Sequence, residues 1–181
     1  AIGSAALITA VAAFLRERRA PRLVLDPVMI SKHGHRLLPD DAVAAMVAQL
    51  LPLAAVVTPN WHEAAALSGL PVHDPASARA AALTLRARGA SAVLIKGGAG
   101  TDGLSVDLLV DSEGELELPA LRLATTATHG TGCTFAAALT AHLALGHALR
   151  PSALRAKAFI HHAIASAPAL GSGVGPVNHW A

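Results

Sequence analysis

The chain has 181 residues and a formal net charge of +2; 53% of its residues are hydrophobic and 14% charged, which excludes a disordered chain and suits one domain with a sizeable core. Aromatic residues make up only 3%, so the core must be alanine-rich and finely packed, and no basic run interleaved with aromatics marks a nucleic-acid surface. The single cysteine excludes an intrachain disulfide framework and fits a reducing cytoplasm.

Ser4 is placed to cap a helix whose apolar positions Ile8, Val11, Ala12 and Leu15 recur at helical spacing. Leu23-Val24-Leu25 reads as a short buried strand ended by Asp26-Pro27. A loop through His33-Gly34-His35 leads to Pro39-Asp40-Asp41, a helix start, and the helix runs to about Leu51. Ala54 to Val57 is a second strand, stopped by Thr58-Pro59, and Asn60 then caps a short helix ending at Gly69.

Asp74-Pro75 opens a helix that runs to Gly89. Ala92 to Ile95 is a third strand, ending at Lys96-Gly97-Gly98, and residues 104–110 and 115–118 form a hairpin turning at Ser112-Glu113-Gly114. Helices over about 131–146 and 151–167 finish the chain before a glycine-rich tail. The uncharged stretches 1–15 and 42–61 are too short, or too interrupted by Gln49, Pro52 and Pro59, to span a membrane. Strands alternating with helices imply one α/β domain over residues 1–181, with a mainly parallel central sheet covered by helices on both faces. The chain opens on Ala1 and enters directly into a helix, from which a preceding segment is expected.

Ligands of such sheets bind at the carboxyl ends of the strands, and Asp26, Asn60 and Lys96 each follow a strand end. The strongest local signal is Thr128-His129-Gly130-Thr131-Gly132-Cys133-Thr134, directly before an apolar helix. Its glycines let successive amides point the same way and the helix N-terminus adds positive potential, together an anion site. Cys133 falls in the first turn, where that field favours thiolate. An ordinary turn with a small packing cysteine reads equally well from these residues alone.

Lys96-Gly97-Gly98 brings an ammonium group to a backbone that permits close approach; by itself a snorkelling lysine before a turn is the simpler reading. Asn60 and Glu63 share a helical face. Glu63 is either an Mg²⁺ carboxylate or the second half of a capping box with Asn60. Asp26 is either a site carboxylate or a turn former. The ten histidines include no His-x-x-x-His pair with a carboxylate at useful spacing, so a dedicated zinc site has little support.

The order of these elements is more specific than any one of them. Asp26-Pro27-Val28-Met29, Thr58-Pro59-Asn60-x-x-Glu63, Lys96-Gly97-Gly98, the Gly-Thr-Gly-Cys loop and the tail Gly171-x-Gly173-x-Gly175-Pro176-Val177-Asn178-His179 together resemble the hydroxymethylpyrimidine/phosphomethylpyrimidine kinases of thiamine synthesis. The resemblance covers essentially the whole chain. It implies a ribokinase-like three-layer sandwich that lacks its N-terminal part, and so the C-terminal, nucleotide-binding portion of the kinase. It implies MgATP-dependent phosphorylation of 4-amino-5-hydroxymethyl-2-methylpyrimidine and of its monophosphate, in a cytoplasmic enzyme that is a homodimer.

By the same resemblance Cys133 lies at the acceptor oxygen, and the backbone of Gly130, Thr131, Gly132 and Cys133 forms the anion hole. Lys96, Thr131 and Asn60 serve the nucleotide, Asp26 and Glu63 serve Mg²⁺ and its waters, and Val28 borders the pyrimidine. Ile30-Ser31-Lys32-His33-Gly34, in the adjacent acceptor-side lid, departs from the Ala-Lys-Ser-Gly more usual in the family. Two further readings remain: a pyridoxal kinase of the same superfamily, and a noncatalytic nucleotide-binding fragment.

Overall fold

The structure, a computed structural model, describes residues 2–18, 22–30, 35–99, 103–168 and 170–181. Residues Ser31 to Gly34 of the expected lid lie outside the described residues, as does Ala1.

Helix α1 spans Ala5–Glu17, and the Ser4 side chain accepts from the Leu7 amide at its start. Strand β1, Leu23–Leu25, pairs in parallel with β2, Ala54–Val57, which pairs in parallel with β3, Val93–Ala99. Then the direction changes: β4, Leu104–Asp111, and β5, Gly114–Leu121, form an antiparallel hairpin added to β3. The sheet order is β1-β2-β3-β4-β5, so the parallel part is the first three strands.

Helices α2 (Asp40–Ala45), α3 (Trp61–Ser68) and α4 (Pro75–Ala87) join α1 on one face; α5 (Thr131–Ala144) and α6 (Leu149–Ala165) cover the other. Alternation along β3 feeds both layers. Val93 and Ile95 join the core under α1 to α4, while Leu94 joins Phe135, Leu139 and Ile160. The result is the expected three-layer sandwich. Among the described residues no helix is long and apolar enough to cross a membrane.

The second hairpin strand runs past the expected 118 to Leu121 and the last helix starts at Leu149; two other boundaries differ for a clear physical reason. The helix after Pro39 is α-helical only to Ala45, continues as a wider turn over Met46–Leu50 and tightens over Leu51–Leu53. Pro52, which has no amide to donate, ends the regular ladder there. The third strand does not stop at Lys96 but continues to Ala99. Pairing with β4 carries it through the glycines, with a register irregularity between Ile95 and Gly98.

Candidate functional site

Each parallel strand delivers one polar side chain to the same edge. Asp26 follows β1, Thr58 follows β2, and Lys96 lies in β3. Lys96 Nζ donates to Asp26 Oδ1 at 2.7 Å, and Thr58 Oγ1 donates to the same oxygen at 3.0 Å. The Lys96 amide in turn bonds the Pro59 carbonyl at 2.8 Å, which ties the lysine to the loop that opens α3.

Asn60 and Glu63 form a complete capping box at the start of α3. The Glu63 amide donates to Asn60 Oδ1 at 2.9 Å, and Glu63 Oε2 accepts from the Asn60 amide at 2.8 Å. Glu63 is buried, and burial pushes its carboxyl above the usual range; the Asn60 amide and the Lys96 charge pull it down, while the Asp26 charge raises it. Two carboxylates of like sign therefore share one poorly solvated corner with a lysine.

Across the cleft, α5 begins at Gly130, whose φ of 84° is a left-handed conformation that glycine adopts without strain. No side chain caps this helix; the Thr131 hydroxyl donates instead to the Thr128 carbonyl at 2.8 Å. First-turn amides of a helix have no intrahelical acceptors, and they carry the positive end of its dipole. A Cβ placed on Gly132 would stand 3.1 Å from Lys96 Nζ. Glycine at 132 thus lets the ammonium group lie against the helix N-terminus. Cys133 follows in the same turn and is exposed.

A cleft of about 1060 Å³ joins these groups, and its lining includes Asp26, Val28, Asn60, Glu63, Lys96 and the whole run Gly130 to Cys133. Every site residue singled out in the sequence therefore faces one space. Sequence reasoning missed Asp107 and Lys157, which line the same cleft as a buried pair. An acid inside the apolar run Leu104–Val110 and a lysine inside an alanine-rich helix were the available signals.

Among the described residues no group of three or more His, Cys, Asp and Glu could enclose a metal ion. Mg²⁺ keeps several waters and takes one or two carboxylates plus substrate phosphates; Asp26 and Glu63 line the cleft and are the carboxylates that could serve it. A desolvated carboxyl held above its usual range is also one that a dication would restore to its ionised form.

A glycine-bent helix N-terminus without a side-chain cap, facing a lysine at the carboxyl edge of a three-layer α/β sheet, is an anion-binding arrangement on a ribokinase-like fold. Within that class the chain belongs to the phosphomethylpyrimidine kinase family, whose sequence pattern matches residues 1–178. It is 46% identical to the hydroxymethylpyrimidine/phosphomethylpyrimidine kinase of Haemophilus influenzae, over 99% of this chain and 68% of that protein. It is also 46% identical to the thiamine biosynthesis bifunctional protein of Geobacter sulfurreducens, over 97% of this chain and 36% of that protein. Among solved structures, the pyridoxal kinase of Staphylococcus aureus in complex with ADP superposes with a TM-score of 0.90 at 37% identity, covering 99% of this chain and 65% of that one. The chain thus spans about two thirds of the Haemophilus and Staphylococcus proteins and about a third of the Geobacter one.

Proposed function

We propose that this chain is a single ribokinase-like domain carrying the nucleotide-binding and phosphoryl-transfer machinery of a hydroxymethylpyrimidine/phosphomethylpyrimidine kinase. The reaction moves the γ-phosphoryl group of ATP to the ring hydroxymethyl oxygen of 4-amino-5-hydroxymethyl-2-methylpyrimidine, and then a second one to the monophosphate. The observation that carries this reading is the approach of Lys96 Nζ to Gly132, which brings an ammonium group against the first turn of α5.

Phosphoryl transfer asks for in-line positioning and charge stabilisation more than for covalent chemistry by the protein. The backbone of Gly130, Thr131, Gly132 and Cys133 holds the transferring phosphoryl oxygens, and Lys96 offsets the charge that develops there. Asn60 fixes the start of α3 and so places Glu63 beside the nucleotide. Cys133, exposed at the first turn, takes the proton of the attacking hydroxyl. Val28 borders the ring. Asp26 and Glu63 would hold Mg²⁺ and its waters; when bound, the ion supplies charge neutralisation on the phosphates.

A second reading, pyridoxal kinase, is favoured by the likeness to the Staphylococcus structure; pyridoxal also bears a ring hydroxymethyl group. ADP release measured with the hydroxymethylpyrimidine, its monophosphate and pyridoxal as separate acceptors tests both. Turnover of the two pyrimidines is expected. Turnover of pyridoxal alone would replace the proposal by the second reading. ATP binding without transfer to any acceptor would leave a noncatalytic nucleotide-binding fragment. The reading also places the protein in the cytoplasm as a homodimer, and sedimentation equilibrium tests the assembly.

A further inference from the structure

Strand β3 pairs Ile95 with Leu108 and Gly98 with Val106, so Lys96 and Gly97 together oppose the single residue Asp107. That two-against-one arrangement is a bulge, a device that bends a strand and re-aims a side chain. Gly97 sits in it with φ of 76°. Its amide donates to a side chain, Asp107 Oδ1, at 2.7 Å. The other oxygen, Oδ2, accepts from Lys157 Nζ at 2.8 Å. Asp107 is 4% exposed and Lys157 9%.

A buried ion pair adds little net stability, because desolvation of both charges offsets their attraction, and an apolar pair of similar volume often serves as well. What leucine and methionine could not do here is accept the Gly97 amide. We propose that Asp107, neutralised by Lys157, is a positioning residue: it locks the bulge that turns Lys96 toward the N-terminus of α5. The inference rests on the proposed function, in which Lys96 serves the nucleotide phosphates.

The test compares calorimetric affinities of the full chain for ATP and for AMP, both with Mg²⁺. AMP lacks the two terminal phosphates, so the ratio of the two dissociation constants reports phosphate recognition apart from the base. Loss of overall order would weaken both ligands together and leave the ratio alone. The parent chain is expected to favour ATP, and Lys96→Ala to cut that preference by about tenfold or more, the size of a lost charge-assisted hydrogen bond. If the parent does not favour ATP, or Lys96→Ala leaves the ratio unchanged, the functional reading fails and this inference falls with it.

Two neutral replacements of the pair then separate the roles. Asp107→Asn with Lys157→Gln keeps an oxygen for Gly97 and is expected to hold the ratio within about twofold, whereas Asp107→Leu with Lys157→Met removes the acceptor and is expected to bring it close to the Lys96→Ala value, about tenfold lower. An apolar pair with the parental ratio overturns the proposal, and so does an amide pair that falls as far as the apolar one. Lys157→Gln alone leaves the Asp107 bond to Gly97 and is expected to keep the ratio. A tenfold fall in that variant would put Lys157 on the nucleotide itself, and overturns the proposal even where the apolar pair does not fold.

Discussion

Lys96 Nζ and Asp26 Oδ1 meet at 2.7 Å across 70 positions of sequence, over the carboxyl end of β2, whose Thr58 bonds the same oxygen. Both side chains are largely shielded, at 14% and 15% exposure. The pair sets the charge balance of the corner that Glu63 shares, since Lys96 lowers and Asp26 raises the Glu63 carboxyl. Asp26→Asn is therefore expected to lower the Glu63 pKa and to free Lys96. With one of the two proposed Mg²⁺ carboxylates gone, kcat/KM should fall by about tenfold to a hundredfold, and half-maximal activity should need more Mg²⁺. Titration of activity against Mg²⁺ concentration reads both.

Glu63 gives a stability prediction with a definite sign. Its carboxyl is held above its ordinary value of 4.5 chiefly by burial, so the folded state favours the protonated form more than the unfolded chain does. The stabilisation from that preference is fully present below 4.5 and is lost as pH rises through the raised folded value. Glu63→Gln keeps an oxygen for the Asn60 amide and removes the charge. It is expected to melt a few degrees higher than the parent at neutral pH, with the difference closing below pH 4.5. Thermal scans at pH 7.5 and pH 4 check this. The same variant should be less active, because the uncharged amide is a poorer magnesium partner.

The strand ends were legible in the sequence because an apolar run stopped by a polar residue carries its own boundary. Asp26, Asn60 and Lys96 could be placed on one edge from the α/β pattern alone. The anion loop was legible from its glycines and the apolar helix that follows. The bulge was not. Lys96-Gly97-Gly98 looks like a strand stop, and only pairing with β4 shows that β3 passes through it. Asp107 and Lys157 were hidden for a related reason: they are 50 positions apart, on a strand and a helix whose juxtaposition depends on register. Likewise the Glu63 and Asn60 pattern fits a cap and a site equally, and the structure shows the cap formed inside the cleft.

Cys133 is exposed at the first turn of α5, so replacing it should leave folding intact while removing a proton acceptor. Cys133→Ala is expected to melt within a degree or two of the parent and to lose about 10²–10⁴-fold in kcat. Cys133→Asp is the sharper variant. A fixed carboxylate repels an acceptor that is itself a phosphate, so phosphorylation of the monophosphate should suffer more than phosphorylation of the hydroxymethylpyrimidine. Equal losses in the two steps would show that charge at position 133 does not discriminate between the acceptors.

The tail holds the anion loop from the far side, which makes it a test of whether loop order matters to binding. The His129 amide donates to the Gly175 carbonyl at 2.9 Å, and the Val177 amide donates back to the His129 carbonyl at 3.1 Å. Val177 itself is buried beside Phe135 and Leu139, and His179 Nδ1 lies 3.3 Å from Thr134 Oγ1. Val177→Ala removes two buried methyl groups, for a loss of about 1–2 kcal/mol, and a domain of this size should then melt about 2–8 °C lower. Loosening the strap also frees the turn at His129 and Gly130, so the α5 amides are less well ordered before nucleotide arrives. The KM for ATP is therefore expected to rise in this variant, with kcat falling less. A lower melting temperature with an unchanged KM would mean that the tail contributes packing alone.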